Sequence, residues 1–236
     1  MSTEAAVIAV AAALYLADCA VLLQRGQGVL LAGWPGARLL FGSTHYQIAG
    51  RAVALLNPFT PFVPALRTQP LFSAAAAPKA ATAAHALSPI ALPVLVQFLL
   101  VFAVLPACLY RAPGWPFAVA LLAAYANAIA MLVLLFFRFR QASLSVRPLV
   151  ALGFGWLVCL PLSANCLRAA GLSFRIAVDA RRAMRFLSEA EGKRAREDLA
   201  AHLGEALQEI DEGDAAYGRL ADLRRQLAAE SGHERA

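Results

Sequence analysis

Residues 89–137 read PIALPVLVQFLLVFAVLPACLYRAPGWPFAVALLAAYANAIAMLVLLFF, and Arg111 is their only charged residue. The short segment 111–114 divides this stretch into two apolar runs, Pro89–Tyr110 and Trp115–Phe137. A helix of about 20 residues spans a hydrocarbon core of about 30 Å, so each run is long enough to cross a membrane. Because the connection is so short, we predict that the two spans are antiparallel neighbours.

The composition favours the same class of protein. Hydrophobic residues make up 60% of the chain and charged residues 15%, against about 45–50% and 25% in soluble domains. Residues 1–167 hold nine basic and two acidic residues, whereas 168–236 hold twelve and thirteen. A basic excess in the apolar part is typical of loops that lie against anionic head groups. We therefore expect membrane lipids as a partner and no nucleic acid.

The predicted fold class is an all-α integral membrane protein with three to four transmembrane helices. A small hairpin and short-helix insertion follows the first span, and a cytoplasmic amphipathic helical tail ends the chain. The predicted segments are a first transmembrane helix (1–24), a basic connector (25–88), a transmembrane hairpin (89–137), an Arg-rich loop (138–148), a transmembrane or re-entrant helix (149–167) and the tail (168–236).

The connector contains five basic residues and no acid. Short apolar runs on either side of Gly33-Trp34-Pro35-Gly36 predict a small hairpin, because Pro and Gly suit a tight turn. Thr44-His45-Tyr46-Gln47 resembles a capping box, and Ile48, Ala52 and Leu55 follow at helical spacing. An amphipathic helix is therefore predicted to run to about Leu56.

A proline at every third position, Pro58, Pro61 and Pro64, with Phe59 and Phe62 between them, is typical of polyproline II. This Pro-rich ribbon is expected to lie in the membrane interface or against the spans. A docking site for a proline-recognition domain is the alternative.

The fourth apolar run is irregular, because it contains Gly153, Gly155, Pro161, Ser163 and Asn165. Basic loops prefer the cytoplasm, and residues 25–88, 138–147 and 168–185 are all basic. Four simple spans cannot place all three there. Either the fourth run is re-entrant and three helices cross, or the 25–88 connector lies outside and four helices cross.

Polar side chains within apolar runs are the candidate site, since they are expensive in a membrane and need a partner, a cavity or water. They are Asp18, Gln97, Asn127 and Asn165. Gln97 and Asn127 are predicted to hydrogen-bond across the hairpin as packing contacts, with a transport path as the alternative. Contacts with lipid head groups are predicted for the arginines Arg138, Arg140, Arg147, Arg168, Arg175, Arg181, Arg182 and Arg185.

The sequence contains no motif with a catalytic mechanism such as HExxH or GxSxG. All four cysteines lie in apolar runs without a zinc-ligand set around them, so neither a metal nor a cofactor is expected. The chain is therefore predicted not to be an enzyme.

The tail carries apolar residues at helical spacing, including Leu199, Leu203 and Leu207 after Gly192, and a further helix is predicted from Tyr217. Residues 176–230 are expected to bind a protein partner or a second copy. We predict a bacterial inner-membrane scaffold or accessory subunit, because Ala, Leu and Arg dominate and Lys is scarce. An oligomeric channel or transporter component is the alternative.

Overall fold

The structure is a computed structural model. It describes residues 3–24, 27–31, 38–41, 43–49, 51–68, 87–111, 114–141, 146–173, 189–209, 217–218 and 220–226. The chain forms two compact units from segments that alternate along the sequence. The first unit comprises Met1–Ala20, Leu55–Ala65 and Ala81–Phe174, and the second comprises Val21–Ala54, Leu66–Ala80 and Arg175–Ala236.

The first unit is built from helices. Their bounds are α1 Thr3–Asp18, α2 Ser88–Arg111, α3 Trp115–Gln141, α4 Arg147–Val158, α5 Leu160–Ser163 and α6 Cys166–Ser173. By length and composition α2 and α3 are able to cross a membrane, as predicted, and only 22% and 28% of their apolar windows are buried. α1 has 16 residues and α4 has 12.

Helix α2 changes its geometry along its length. It begins with a 3₁₀ turn at Ser88–Ile90 and contains a π-helical segment at Leu100–Val104. Pro106 lies two residues after the π segment and has no backbone N–H, so the i to i−4 ladder cannot continue unchanged there. The distortion near Pro106 takes the form of a π-bulge.

The fourth apolar run is broken into three helices. Cys159 ends α4 with an extended backbone (φ −125°, ψ 89°). Pro161 then stands in the first turn of α5, where its missing N–H is tolerated. Ala164 and Asn165 form the turn that leads into α6.

In the described part of the chain, two three-stranded sheets contain the strands β1 Ala20–Leu23, β2 Gly28–Leu31, β3 Arg38–Phe41, β4 Ser43–Ile48, β5 Arg51–Leu55 and β6 Ala65–Arg67. Their strand orders are β1-β5-β4 and β3-β2-β6. β2 and β3 pair antiparallel, with Gly28 opposite Phe41 and Leu31 opposite Arg38. The hairpin predicted at this place is confirmed.

Two predictions for the early part of the chain are wrong. The first helix ends at Asp18 rather than near residue 24, because Ala20–Leu23 is strand β1. The amphipathic helix predicted up to Leu56 is the antiparallel pair β4 and β5. Burial in β5 alternates, with Ala52 and Ala54 inside, and a short apolar run fits a period of two as well as a helical one. The fold is thus mostly helical rather than all-α.

The tail contributes helix α7, Glu189–Glu209, to the second unit. α7 contacts β3, and its apolar residues Ala195, Leu199 and Leu203 are buried. Residues 220–226 are also helical. They lie close to α7, since a Cβ added at Gly204 would be 3.7 Å from the guanidinium of Arg224. Of the tail region 176–230 that is predicted to bind a partner, residues 176–188 and 210–216 lie outside the described residues.

Candidate functional site

A chain of hydrogen bonds joins α2, α3 and α5 inside the first unit. Asn127 Nδ2 donates to Gln97 Oε1 at 2.9 Å and also to the Pro93 carbonyl at 3.0 Å. Gln97 Nε2 donates to Ser163 Oγ at 2.7 Å, and Ser163 Oγ donates to the Leu160 carbonyl at 2.5 Å. Asn127, Gln97 and Ser163 are called the amide–hydroxyl chain below.

The amide–hydroxyl chain is packed away from solvent. Gln97 and Ser163 have no exposed surface, and Asn127 is half-buried. Gln97 uses its amide nitrogen towards α5 and its amide oxygen towards α3, so one side chain holds three helices in register. The hydrogen bond between Gln97 and Asn127 that the sequence predicts is present.

A second polar cluster surrounds Arg168 of α6, whose side chain is completely buried. Its Nη2 donates to the carbonyl of Asn57 at 2.6 Å, to Thr60 Oγ1 at 2.9 Å and to the Thr60 carbonyl. Its Nη1 donates to Asn165 Oδ1 at 3.4 Å, whereas its Nε has no hydrogen-bond partner among the described residues. Asp18, Asn165 and Arg168, with the turn at 57–60, are called the Arg168 network below.

Asn165 connects the guanidinium to the carboxylate of Asp18. Its Nδ2 donates to Asp18 Oδ2 at 3.0 Å and to the Asp18 carbonyl at 3.1 Å, while its Oδ1 accepts from Arg168. A carboxylate at a helix C-terminus is unfavourable to the helix dipole. The donors of Asn165 and the nearby positive charge of Arg168 offset this cost at the end of α1.

The turn at 57–60 is fixed on its other side by α1. Tyr15 Oη donates to the Pro58 carbonyl at 2.5 Å, and Leu56 N donates to the Cys19 carbonyl at 3.0 Å. The Tyr15 ring packs on Phe98 and Phe102 of α2, with centroids 5.8 and 4.7 Å away. The turn, α1, α2 and α6 therefore form one packed region.

The four predicted polar site residues fall into two pairs. Gln97 and Asn127 belong to the amide–hydroxyl chain, and Asp18 and Asn165 belong to the Arg168 network. Ser163 and Asn165 stand on either side of Ala164, so the turn before α6 separates the two networks. The prediction that Arg168 contacts lipid head groups is wrong, because its side chain is enclosed by protein.

Of the other arginines predicted to contact lipid head groups, three are described by the structure and four are not. Arg138 and Arg140, in the last turn of α3, and Arg147, at the start of α4, are exposed. Contact of these three with head groups stays a prediction. Arg175, Arg181, Arg182 and Arg185 lie outside the described residues.

Sequence reasoning missed the part of the site that is made of backbone. The carbonyls of Asn57, Pro58 and Thr60 accept hydrogen bonds from Arg168 and Tyr15. A carbonyl leaves no signal in a sequence. The usable signal was the arginine itself, which stands directly after an apolar run and one helical turn after Asn165.

Cys166 and Arg67 lie outside the two networks described above. Cys166 Sγ lies 3.7 Å from Met131 Sδ in a buried contact between α6 and α3. Among the described residues no three His, Cys, Asp or Glu side chains are grouped to hold a metal ion. In β6, burial lowers the pKa of Arg67 and the neighbouring charge of Arg51 lowers that pKa further.

No protein-family model, curated protein or solved structure matches this chain. The geometry of the two networks is therefore the basis for any functional inference.

We expect Arg168→Met to destabilise the first unit strongly. The substitution removes the charged donors that Arg168 gives to the part-buried carbonyls of Asn57 and Thr60, and a hydrogen bond to a charged group is worth about 1.5–3 kcal/mol. Arg168→Lys keeps the charge but lacks the planar guanidinium and its several donors. The resulting decrease in the free energy of unfolding should therefore be intermediate. The measurement is the free energy of unfolding in detergent micelles.

The matched control for that measurement is Arg147→Met, which removes an exposed arginine from the same unit. It should change the free energy of unfolding by no more than about 0.5 kcal/mol. Equal decreases in the free energy of unfolding for Arg168→Met and Arg147→Met would show that the Arg168 network does not stabilise the unit.

A double-mutant cycle with Gln97→Leu and Asn127→Leu should give a coupling free energy of about 0.6 kcal/mol, with an upper bound near 1.7 kcal/mol, as found for polar bonds between membrane helices. Each single change removes their mutual hydrogen bond. As a control, Gln97→Leu combined with Arg140→Met should be additive within about 0.5 kcal/mol, because Arg140 lies far along α3 from Asn127. Additivity of the Gln97 and Asn127 changes would contradict the packing role.

Proposed function

We propose that this protein is a non-catalytic membrane protein that acts as a scaffold or as an assembly or accessory subunit. One observation carries the proposal. The predicted site residues Asp18, Gln97, Asn127 and Asn165 are each hydrogen-bonded to another helix or to backbone within the first unit. Side chains used in this way hold helices together instead of acting on a substrate.

The membrane location is supported by the surface of the first unit. Its helices expose large apolar side chains that a water-soluble protein would bury. The most exposed on each of the first four helices are Val10 on α1, Leu92 on α2, Trp115 and Leu122 on α3, and Val150 and Phe154 on α4. A core helix of a soluble protein would be mostly buried, whereas α2 and α3 are mostly exposed.

The second unit supports one arrangement of the chain across the membrane. Its strand β3 comes from the connector and its helix α7 comes from the tail, and the two are in contact. A bilayer cannot divide a folded unit, so the connector and the tail lie on the same side. The chain between them then crosses an even number of times.

Helices α2 and α3 supply those two crossings. α4 is about 18 Å long, which is too short for a hydrocarbon core of about 30 Å. The break at Cys159 and the turn at Ala164 and Asn165 allow the chain to reverse within the protein. In this proposal α4, α5 and α6 form a re-entrant hairpin, α2 and α3 are full-length spans, and α1, with 16 residues and about 24 Å, is a shorter third span.

The common side of the connector and the tail is the cytoplasm in this proposal. The connector contains basic residues and no acid, and Arg138 and Arg140 at the end of the last span and Arg147 at the start of the re-entrant hairpin flank the same junction. Positively charged loops are retained on that side. A bacterial inner membrane fits the Ala-, Leu- and Arg-rich composition.

A partner would meet a polar surface of the second unit. The apolar residues Leu199 and Leu203 of α7 are covered by the chain itself, so they do not argue for a partner. The exposed side of α7 is charged and carries Lys193, Arg194, Glu197 and Asp198. We propose that this side, within the tail region 176–230, binds the partner protein or a second copy.

A channel or transporter component is the second candidate. It is favoured by the π-bulge at Leu100–Val104, which starts three residues after Gln97, since π-bulges often accompany functional sites. In that case Gln97→Leu with Asn127→Leu would abolish solute flux into vesicles while the protein remained folded. In the scaffold proposal these changes affect stability and no flux depends on them.

The proposed topology is tested with three reporters, inserted at Ala76, inserted after Gly114 and fused after Ala236. Reporters at Ala76 and Ala236 should give cytoplasmic activity. The reporter after Gly114, in the turn between α2 and α3, should report the opposite side and serves as the control. Opposite sides for Ala76 and Ala236 would contradict the re-entrant hairpin.

The scaffold role is tested with a photo-reactive amino acid at Lys193 or Glu197 in membranes of the source organism. Irradiation should give a discrete protein adduct at these positions. An adduct of two 25.0 kDa chains would identify self-association, and any other mass would identify a distinct partner. Val150, which faces lipid in this proposal, is the control and should give no protein adduct. Absence of adducts at both α7 positions would contradict the role assigned to α7.

A further inference from the structure

The segment Leu55–Ala65 is not helical but belongs to the helical unit. It has no charged residue and contains three prolines. It packs closely on α6, since a Cβ added at Gly171 would lie 2.3 Å from the Ala65 carbonyl oxygen. The segment is therefore an integral part of the packing among the helices.

Its contacts place it at the C-terminal end of α1 and beside the middle of α2. Pro58 is hydrogen-bonded to Tyr15, whose ring packs on Phe98 and Phe102. At 1.5 Å per residue, Phe98 and Phe102 lie roughly 15–20 Å along α2 from Ser88. If α2 crosses the membrane, the turn at 57–60 reaches below the head groups of one leaflet.

Backbone at that depth needs hydrogen-bond partners other than water. Prolines at 58, 61 and 64 remove three N–H groups. Phe59 N donates to Asn57 Oδ1, Thr60 N to the Asn57 carbonyl and Val63 N to the Thr60 carbonyl. Arg168 donates to the carbonyls of Asn57 and Thr60, and Tyr15 to that of Pro58. The protein itself thus supplies the donors that water gives to an ordinary loop.

Two large apolar side chains of this segment point away from the protein. Leu55 is 74% exposed and Phe59 is 77% exposed. Both flank backbone groups that are already paired, and residues 55–65 contain no charge that would keep the turn in water. An exposed aromatic ring on a fixed, uncharged turn suits contact with acyl chains.

We propose that Leu55–Val63 is a membrane-embedded loop, with Phe59 and Leu55 in contact with the acyl chains of the leaflet on the connector side. This inference rests on the membrane location in the proposed function. In it, the buried guanidinium of Arg168 takes the place of water for the loop carbonyls. The partner of this surface is lipid.

The test uses tryptophan fluorescence of the full chain in vesicles of phosphatidylcholine and phosphatidylglycerol, with bromine atoms on the acyl chains near the head group. Phe59→Trp introduces the probe at an exposed position that packing does not constrain, and Leu55→Trp is a second probe. The wild-type spectrum, from Trp34, Trp115 and Trp156, is subtracted. Val150→Trp on α4 reports membrane location, and Lys193→Trp on α7 is the aqueous control.

We expect the tryptophans at 59, 55 and 150 to lose most of their emission in brominated vesicles and to resist aqueous acrylamide, with the opposite result at 193. Quenching by bromine at 150 but by acrylamide at both 59 and 55 would overturn the embedded loop and leave the membrane location intact. Protection from bromine at 150 as well as at 59 and 55 would overturn the membrane location and the loop together.

Discussion

The first unit depends on the hydrogen bonds of one buried guanidinium. Burying a charge is costly unless most of its donors are paired. Arg168 pairs its two terminal nitrogens with backbone carbonyls of the turn at 57–60 and with Asn165. Asn165 in turn holds the end of α1 through Asp18. Three parts of the chain that are distant in sequence therefore meet at α6, and moving any of them would break hydrogen bonds of Arg168 or Asn165.

The amide–hydroxyl chain sets the register of helices in the same unit. In the proposed membrane location the surrounding lipid is as apolar as the helix surfaces, so polar bonds and close contacts must specify the helix register. Gln97 fixes α2 against both α3 and α5. Small residues allow the approach: Gly153 of α4 lies so close to Leu132 of α3 that a Cβ there would be 2.8 Å from a Leu132 methyl group. Register and distance are thus set by different residues.

The sequence predicted the elements that are marked by extended apolar runs or by distinctive turn residues. α2 and α3 follow from two extended apolar runs, and the β2–β3 hairpin follows from turn residues between short apolar runs. It failed for β4 and β5, because Ile48, Ala52 and Leu55 fit a helix while the buried set is Ala52, Ala54 and Leu56. For the site, Gln97 with Asn127 was predictable from polar residues in apolar runs. Arg168 was assigned to the surface, since the carbonyls that pair with it have no side-chain signal.

The second unit is built from segments that are distant in sequence, and this constrains when it can form. β3 lies at residues 38–41 and α7 at 189–209, and most of the chain between them belongs to the first unit. In the proposed topology this intervening chain enters the bilayer, crosses it twice and returns. The closing contact between β3 and α7 is therefore available only after α2 to α6 have been inserted with the correct orientation. Wrong insertion of the re-entrant hairpin would leave the connector and α7 on opposite sides, so the charged side of α7 that we assign to a partner would not be presented on a complete unit. Under the proposed topology, presentation of the proposed binding surface would thus depend on completed membrane insertion.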